Sequence, residues 1–421
     1  VNGGRIRGLA ARREGLPRAA FVLSGGGAKG AYAVGVMRAV LAGAAPTSDP
    51  PSRDPSIYSG TSVGAFNAAV MASQPGRPAL AALDRLEELW LNRVASTLGR
   101  CGNGVFRLRG LPVQELDPGC FLHPVRGTFD FARDSVYLAW QAAVRGARFA
   151  ASTQPLPGRV FESIDVSAFV DDEPLDRLIR HSIDYPGLLA SGKAVRVVAS
   201  NWENGEARVF GNREVAASPE TLLASLAIPG VFPEVRLGGV PFVDGGLSMN
   251  TPLKPAIEAG ATEIHVVYLD PLLEDSEYPE AANTFDVFAR VFTILTASRM
   301  QADLRRARGV NRGLRLLLGR GWGGVGDSGE LLEALGEAEE VLEGLRRTRP
   351  RRLLTVHVYR PGGDLGSGAD LLNFSRRQIE RLLERGYEDA VAHDCVAAGC
   401  VLPDGSAAVR PRAVAAAGER A

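Results

Sequence analysis

Lysine is almost missing from this chain of 421 residues: among 48 basic side chains only Lys29, Lys193 and Lys254 are lysines, and the rest are arginines. Together with abundant Ala, Gly and Pro, this bias indicates GC-rich bacterial codon usage and says nothing about activity. Net charge is absent too, since 48 acidic residues balance the 48 basic ones. Whole-molecule electrostatics therefore give no reason to expect a nucleic acid partner or attraction to an acidic membrane. Cysteine is scarce. Cys101, Cys120, Cys395 and Cys400 are too few for a disulfide scaffold in a chain of this size and point to a reduced interior. Long apolar runs are missing as well. The longest, Ala31 to Ala45, contains Arg38 and is too short to span a bilayer. Residues 1–18 are Arg-rich and lack the apolar core of a secretory signal. The expectation is a cytoplasmic protein whose membrane contact, if any, is peripheral.

What the chain does contain is alternation. Ala19 to Ser24 is a short apolar run ending in glycines, and Ala31 to Ala42 repeats its apolar residues at helical spacing. A Pro/Ser/Asp loop leads to a second short strand, Ser56 to Ser59, and then to a helix from about Ser62 to Ser73. Strand, glycine turn, helix, loop, strand, sharp turn, helix is the pattern of a parallel α/β sheet. Residues 75–190 are less regular. Apolar strands return at Ala194 to Ser200, Ala207 to Phe210 beyond the Asn204-Gly205 turn, Val240 to Val243 and Glu263 to Leu269. After about residue 280 the character changes to amphipathic Arg/Glu-rich helices, interrupted by one strand, Arg352 to Tyr359. The division expected is a lead-in over 1–18, a catalytic domain over 19–262, a mainly helical C-terminal extension over 263–395 and a disordered tail over 396–421.

Three short motifs carry chemistry. Gly60-Thr61-Ser62-Val63-Gly64 is a G-x-S-x-G pattern at a strand-to-helix junction, where flanking glycines permit a tight turn that lifts the hydroxyl out of the sheet. Gly25-Gly26-Gly27-Ala28-Lys29-Gly30 follows the first strand. Its consecutive backbone N–H groups could hold an oxyanion at a helix N-terminus. Gly25, Gly27 and Gly30 also satisfy a dinucleotide fingerprint, but the second strand ends in the serine turn instead of an acidic residue. A phosphate-loop reading fails because Lys29 precedes the last glycine and no Ser or Thr follows it. The third motif is Val243-Asp244-Gly245-Gly246, a carboxylate at the end of an apolar strand.

Four blocks in this order resemble the patatin-like phospholipase family over about Ala19 to Thr262. They are the glycine-rich loop, Gly60-Thr-Ser-Val-Gly-Ala-Phe-Asn67, Ala224-Ser-Leu-Ala-Ile-Pro-Gly-Val-Phe-Pro233, and Asp244-Gly-Gly with Asn250-Thr-Pro252 behind it. The resemblance implies a three-layer α/β/α fold with a mainly parallel sheet, extended by helices at the C-terminus. It implies hydrolysis of carboxylic esters in lipids, of the phospholipase A or lysophospholipase type, with no metal and no organic cofactor. Ser62 would be the nucleophile and Asp244 its proton acceptor, with the amides of Gly25, Gly26 and Gly27 as oxyanion donors. Lys29, Gly30, Gly60, Gly64, Asn67, Pro229, Gly245 and Gly246 would shape the site, Lys29 with either a family role or a structural one. A carboxylate is a weak base for a hydroxyl, so the site should be desolvated to raise the pKa of Asp244.

Two alternatives stay open at this level: a lipid-binding or regulatory module with latent activity, and a Ser-His-Asp esterase. The candidate histidines are His123, His181, His265, His357 and His393, and His265 and His357 fall inside apparent strands. His393, Cys395 and Cys400 have the look of metal ligands but no second pair at finger-like spacing, so they read as packing residues. Phe285, Phe288, Phe292 and Leu295 recur at helical spacing and read as a core-facing stripe. The segment from Phe129 to Phe149, with Phe131, Tyr137, Trp140 and Arg145, is the candidate lid or lipid-contact region. No protein partner is legible.

Overall fold

The computed structural model of the chain describes residues 18–97, 102–109, 124–163, 166–211, 217–270, 284–317, 353–366 and 368–403. Its strands are β1 (Ala19–Leu23), β2 (Ile57–Thr61), β3 (Arg107–Leu108), β4 (Val170–Asp171), β5 (Ala194–Asn201), β6 (Ala207–Gly211), β7 (Val235–Leu237), β8 (Val240–Asp244), β9 (Glu263–Val267) and β10 (Thr355–Tyr359). β3 and β4 form a separate antiparallel pair, and the others form one sheet of order β10-β9-β1-β2-β5-β8-β7, with β6 added to β5. β10, β9, β1, β2 and β5 are mutually parallel, whereas β6 and β8 run antiparallel to β5.

Alternation along the strands builds two cores, one on each face. Phe21 and Leu23 of β1 join Tyr58 and the Gly30–Ala42 and Val63–Ala72 helices on one side. Ala20 and Val22 join Ile264, Val266, Val356 and Val358, with Leu253, Leu304 and Ala307 from helices, on the other. Helices on both faces of a mostly parallel sheet make the three-layer α/β/α fold.

The sheet does not stop at the boundary expected at 262. β9 pairs with β1 along its whole length and β10 pairs with β9. β9 has both neighbours in place, and all five of its residues are buried, Glu263 and His265 included. The Arg376–Val391 helix is also integral: a Cβ at Gly386 would lie 2.0 Å from the Tyr32 carbonyl oxygen, so this helix and the Gly30–Ala42 helix cross backbone to backbone. Order likewise runs beyond 396. Cys400 and Val401 are buried, and Val401 bridges to Val356 of β10 through paired backbone hydrogen bonds. The rest of the expected tail, from 404, and the lead-in before Arg18 lie outside the described residues. The expected lid segment lies within one long helix, Pro124–Ala151. For the Phe285–Leu295 stripe, the Phe285, Phe288, Phe292 and Leu295 side chains lie outside those described, and Val291 beside them is half exposed.

Candidate active site

Register decides where Ser62 and Asp244 meet. β2 and β8 share one edge of β5, because β6 occupies the other over Arg196–Ser200. Thr61 lies opposite Val198, and Asp244 lies opposite Ala199, the next position along β5. The C-terminal ends of β2 and β8 thus converge, which brings Ser62 beside Asp244. The chain leaving β8 crosses close over this junction, and a Cβ on Gly245 would lie 2.2 Å from the Val198 carbonyl oxygen.

Ser62 is the only non-glycine residue with positive φ among those described (φ 55°, ψ −130°). An L-residue in that region is strained by about 1–3 kcal/mol and persists only when its surroundings hold it. Here they do. The Ser62 N–H donates to Ser225 Oγ at 2.9 Å, Thr61 Oγ1 donates to the Met249 carbonyl at 2.8 Å, and Ser59 Oγ donates to the Pro252 carbonyl at 2.9 Å. The flanking glycines are required by close approach: Cβ atoms on Gly60 and Gly64 would lie 2.1 Å from the Gly64 oxygen and 2.2 Å from the Leu23 oxygen. Asn67 is buried on the following helix. It donates to the Gly30 carbonyl at 3.1 Å and accepts from Trp90 Nε1 at 2.9 Å, tying the start of the Gly30–Ala42 helix to the serine turn.

Asp244 is fixed from three sides. Its N–H donates to the Ala227 carbonyl at 2.8 Å, its carbonyl accepts from Ser200 Oγ at 2.9 Å, and Oδ1 accepts from the Gly246 N–H at 2.7 Å. The other carboxylate oxygen, Oδ2, is buried and has no hydrogen-bond partner. The Ser62 hydroxyl is near enough to favour the charged carboxylate without completing a bond of good geometry to Oδ2. Burial dominates and raises the Asp244 pKa from 3.8 to about 6, against the opposing pull of Ser62 and the Gly246 amide. A carboxylate so placed is a stronger base than one in water and is still ionised at neutral pH.

The glycine loop passes beside Ser62, and a Cβ on Gly25 would approach Ser62 Cβ to 2.9 Å. Its three amides are not equivalent. The Gly25 N–H donates to Asn250, at 3.1 Å to Oδ1 and 3.3 Å to the carbonyl. Among the described residues no hydrogen bond engages the amides of Gly26 and Gly27, where φ is 159° and 53°. Lys29 is buried and its ammonium reaches Asp270 at 3.5 Å and Asp364 at 3.6 Å. Gly30 opens the next helix against the Val63 side chain. Pro229 lies in the turn after the Pro219–Leu226 helix, next to Ile228.

Ser62 and Gly27 belong to the wall of a narrow pocket that is partly open to solvent. The remaining wall is apolar and includes Phe66, Trp90, Leu175, Leu178, Phe232 and Phe374. No described histidine approaches this centre. His265 binds Tyr359 and Ser52, the exposed His181 meets the Arg177 carbonyl, and His357 and His393 lie beside cysteine sulfurs; His123 lies outside the described residues. Ser225 was not among the residues singled out from sequence, although it stands inside the Ala224–Pro233 block. One serine hydroxyl that accepts from another serine's amide leaves no signature in spacing.

No described helix is long and apolar enough to cross a membrane. On the Pro124–Ala151 helix, Phe129, Val136 and Trp140 are exposed, and steps of seven and four place them on one face. The helix is anchored through Asp134, which is buried and forms an ion pair with Arg107; Arg107 also reaches Asp171 at 2.7 Å.

The model of the patatin-like phospholipase family matches residues 21–257. Among solved structures, VipD from Legionella pneumophila is similar at 14% identity, covering 87% of this chain and 67% of that one with a TM-score of 0.33. A likeness that slight carries no argument about the site. A search of curated proteins finds no match.

Proposed function

The chain belongs to the patatin-like phospholipase family, and from that premise we propose that it is a lipid acyl hydrolase working through Ser62 and Asp244. The observation that carries this reading is a strained serine on the wall of an apolar cavity, next to a buried carboxylate oxygen without a partner.

In this mechanism the cavity takes the acyl chain and sets the ester carbonyl against Ser62 Oγ. As Oγ attacks, its proton passes to Asp244 Oδ2, the lone pair left open for it. The oxyanion that forms is held by the free amides of Gly26 and Gly27. The Gly25 amide, engaged by Asn250, holds the loop in place and does not bind the oxyanion. Each lost donor of this kind costs roughly 3–4 kcal/mol of transition-state stabilisation. Protonated Asp244 then gives its proton to the leaving alcohol. Water attacks the acyl-enzyme with Asp244 again as base, the acyl–Oγ bond breaks as Asp244 returns that proton to Ser62 Oγ, and the fatty acid leaves. The dyad needs no histidine because burial has already raised the basicity of the carboxylate.

The exposed Phe129, Val136 and Trp140 face is suited to shallow contact with a lipid surface, which makes the membrane association peripheral. The functional unit extends from β1 to β10 and the ordered segment after it, because β9 and β10 complete the sheet that carries both reactive groups.

The deciding measurement is fatty acid release from mixed phospholipid vesicles and nitrophenol release from a medium-chain ester, with wild type, Ser62→Ala and Asp244→Asn compared at equal folding. Activity in wild type alone is expected. A wild type silent on every ester would favour a regulatory lipid-binding role, and an active Asp244→Asn would remove the aspartate from the mechanism.

A further inference from the structure

Far from the serine centre, the edge strand β10 and the segment following the Arg376–Val391 helix bring together two histidines and two cysteines. His357 comes from β10, and His393, Cys395 and Cys400 come from the segment that folds back against it. Cys395 Sγ lies 3.4 Å from His357 Nδ1 and 3.5 Å from His393 Nε2, and Cys400 Sγ lies 3.4 Å from the same His393 Nε2. All four atoms are within 4.8 Å of one another. In a tetrahedral zinc centre, metal–sulfur bonds of about 2.3 Å and metal–nitrogen bonds of about 2.0–2.1 Å place nitrogen and sulfur ligands about 3.5 Å apart. The three nitrogen–sulfur separations of 3.4–3.5 Å match that spacing, and the remaining ones stay within 4.8 Å.

We propose that His357 Nδ1, His393 Nε2, Cys395 Sγ and Cys400 Sγ bind one zinc ion in a closed structural site that fastens the C-terminal segment to the edge of the sheet. Two thiolates and two neutral imidazoles suit zinc and not magnesium or calcium, which take oxygen ligands. On loading, each thiol releases its proton to solvent and two Zn–S bonds form. The ion with two thiolates is then neutral overall, which is compatible with burial of Cys400 and His357. All four positions come from the protein, leaving none for water or substrate, so the role is structural.

The surroundings hold the ligands in place as an outer shell of a metal site does. Cys400 Sγ accepts from the Val358 N–H at 3.3 Å, and the next residue, Val401, is bridged to Val356. Asp394 accepts from the Val396 N–H at 2.8 Å and caps the short turn Cys395–Ala398; Gly399 (φ 70°) then reverses the chain and returns Cys400 to the strand. The His393 ring lies against Tyr359 with centroids 4.6 Å apart, and the His357 ring stacks on His265 at 5.1 Å. A disulfide between Cys395 and Cys400 is the rival reading, but both are free thiols and a disulfide would leave the convergence of the two histidines unaccounted for.

The test is the metal content of the full chain produced with zinc in the medium, followed by chelation and titration with cobalt(II). About one zinc per chain is expected, with intense visible cobalt bands and sulfur-to-cobalt charge transfer after reconstitution. Cys395→Ser and His393→Ala should each abolish the cobalt–thiolate signature, while a Cys101→Ser/Cys120→Ser double variant should keep it. Chelation should lower the melting temperature of the wild type. Wild-type protein that is active on a soluble ester yet carries no zinc and gives no cobalt–thiolate spectrum would overturn the proposal. So would a Cys395–Cys400 disulfide in protein kept under reducing conditions.

Discussion

Ser62 faces Asp244 on one side of this molecule; elsewhere Ser52 faces Glu263 and His265. By residue type the second set is the more complete. Ser52 Oγ donates to Glu263 Oε1, His265 Nε2 lies 2.7 Å from Ser52 Oγ, and His265 Nδ1 lies 3.1 Å from the Tyr359 hydroxyl. Burial raises the Glu263 pKa to about 7 and holds that of His265 well down, so both ionisations are perturbed. Yet Ser52 and His265 are fully buried, Ser52 sits in a regular turn of helix, and their polar atoms satisfy one another. At Ser62 the backbone is strained, one carboxylate oxygen has no partner, and a cavity adjoins. Reactivity therefore depends on a valence left open beside space for a substrate. Serine, histidine and carboxylate in contact are not sufficient; fully satisfied, they only brace a core.

Exchanging the two serines breaks this comparison most sharply. Ser62→Ala should reduce ester hydrolysis to background with little change in melting temperature, whereas Ser52→Ala should keep activity within a few-fold and cost about 1–3 kcal/mol through the partners it strands. Hydrolysis assays and denaturant titration of both variants decide it, and loss of activity in folded Ser52→Ala would reopen the second set as a catalytic candidate.

Asp244→Asn comes next, with an expected loss of about 10²–10⁴-fold in kcat/KM. It should also stabilise the fold. Because the native pKa of Asp244 is raised from 3.8 to about 6, the native state binds this proton more tightly than the unfolded chain. Ionising the carboxylate therefore costs stability. The cost begins as pH rises past about 4 and is complete above about 6, on the order of 1–3 kcal/mol. Melting of Asp244→Asn should exceed that of wild type at pH 7, with the gap closing near pH 4. The same ionisation predicts a wild-type rate that climbs through about pH 6 and then levels.

His265→Asn should be a smaller effect still, lowering stability while kcat/KM stays close to wild type; a collapse of activity in folded protein would bring the triad back. Smallest of all, Trp140→Ser should slow hydrolysis of vesicles by a few-fold and leave the soluble ester untouched, since only the first substrate meets the exposed face.

Much of the candidate site was legible because its parts are local. A tight turn, a glycine loop and a strand-end aspartate each leave a short pattern, since the backbone geometry that needs Gly60, Gly64 or Gly245 is set within a few residues. The α/β alternation was equally plain, because short strands rich in buried apolar residues, β1 above all, alternate with helical spacing. The boundary at 262 was harder to place: Glu263–Val267 has a strand's pattern, but nothing in that pattern says that its neighbour is β1, residues 19–23. Local motifs also make the three glycine amides look interchangeable, and only Asn250, distant in sequence and following β8, distinguishes Gly25 from Gly26 and Gly27.

The sequence by itself determined the layered α/β architecture and the kinds of group that could react, since periodicity and turn chemistry act over short distances. Tertiary structure alone decided which edge of β5 brings Ser62 to Asp244, which carboxylate oxygen stays without a partner, and that His357 meets His393, Cys395 and Cys400. Those outcomes depend on strand register and on contacts between residues distant in the chain, and no local pattern records either.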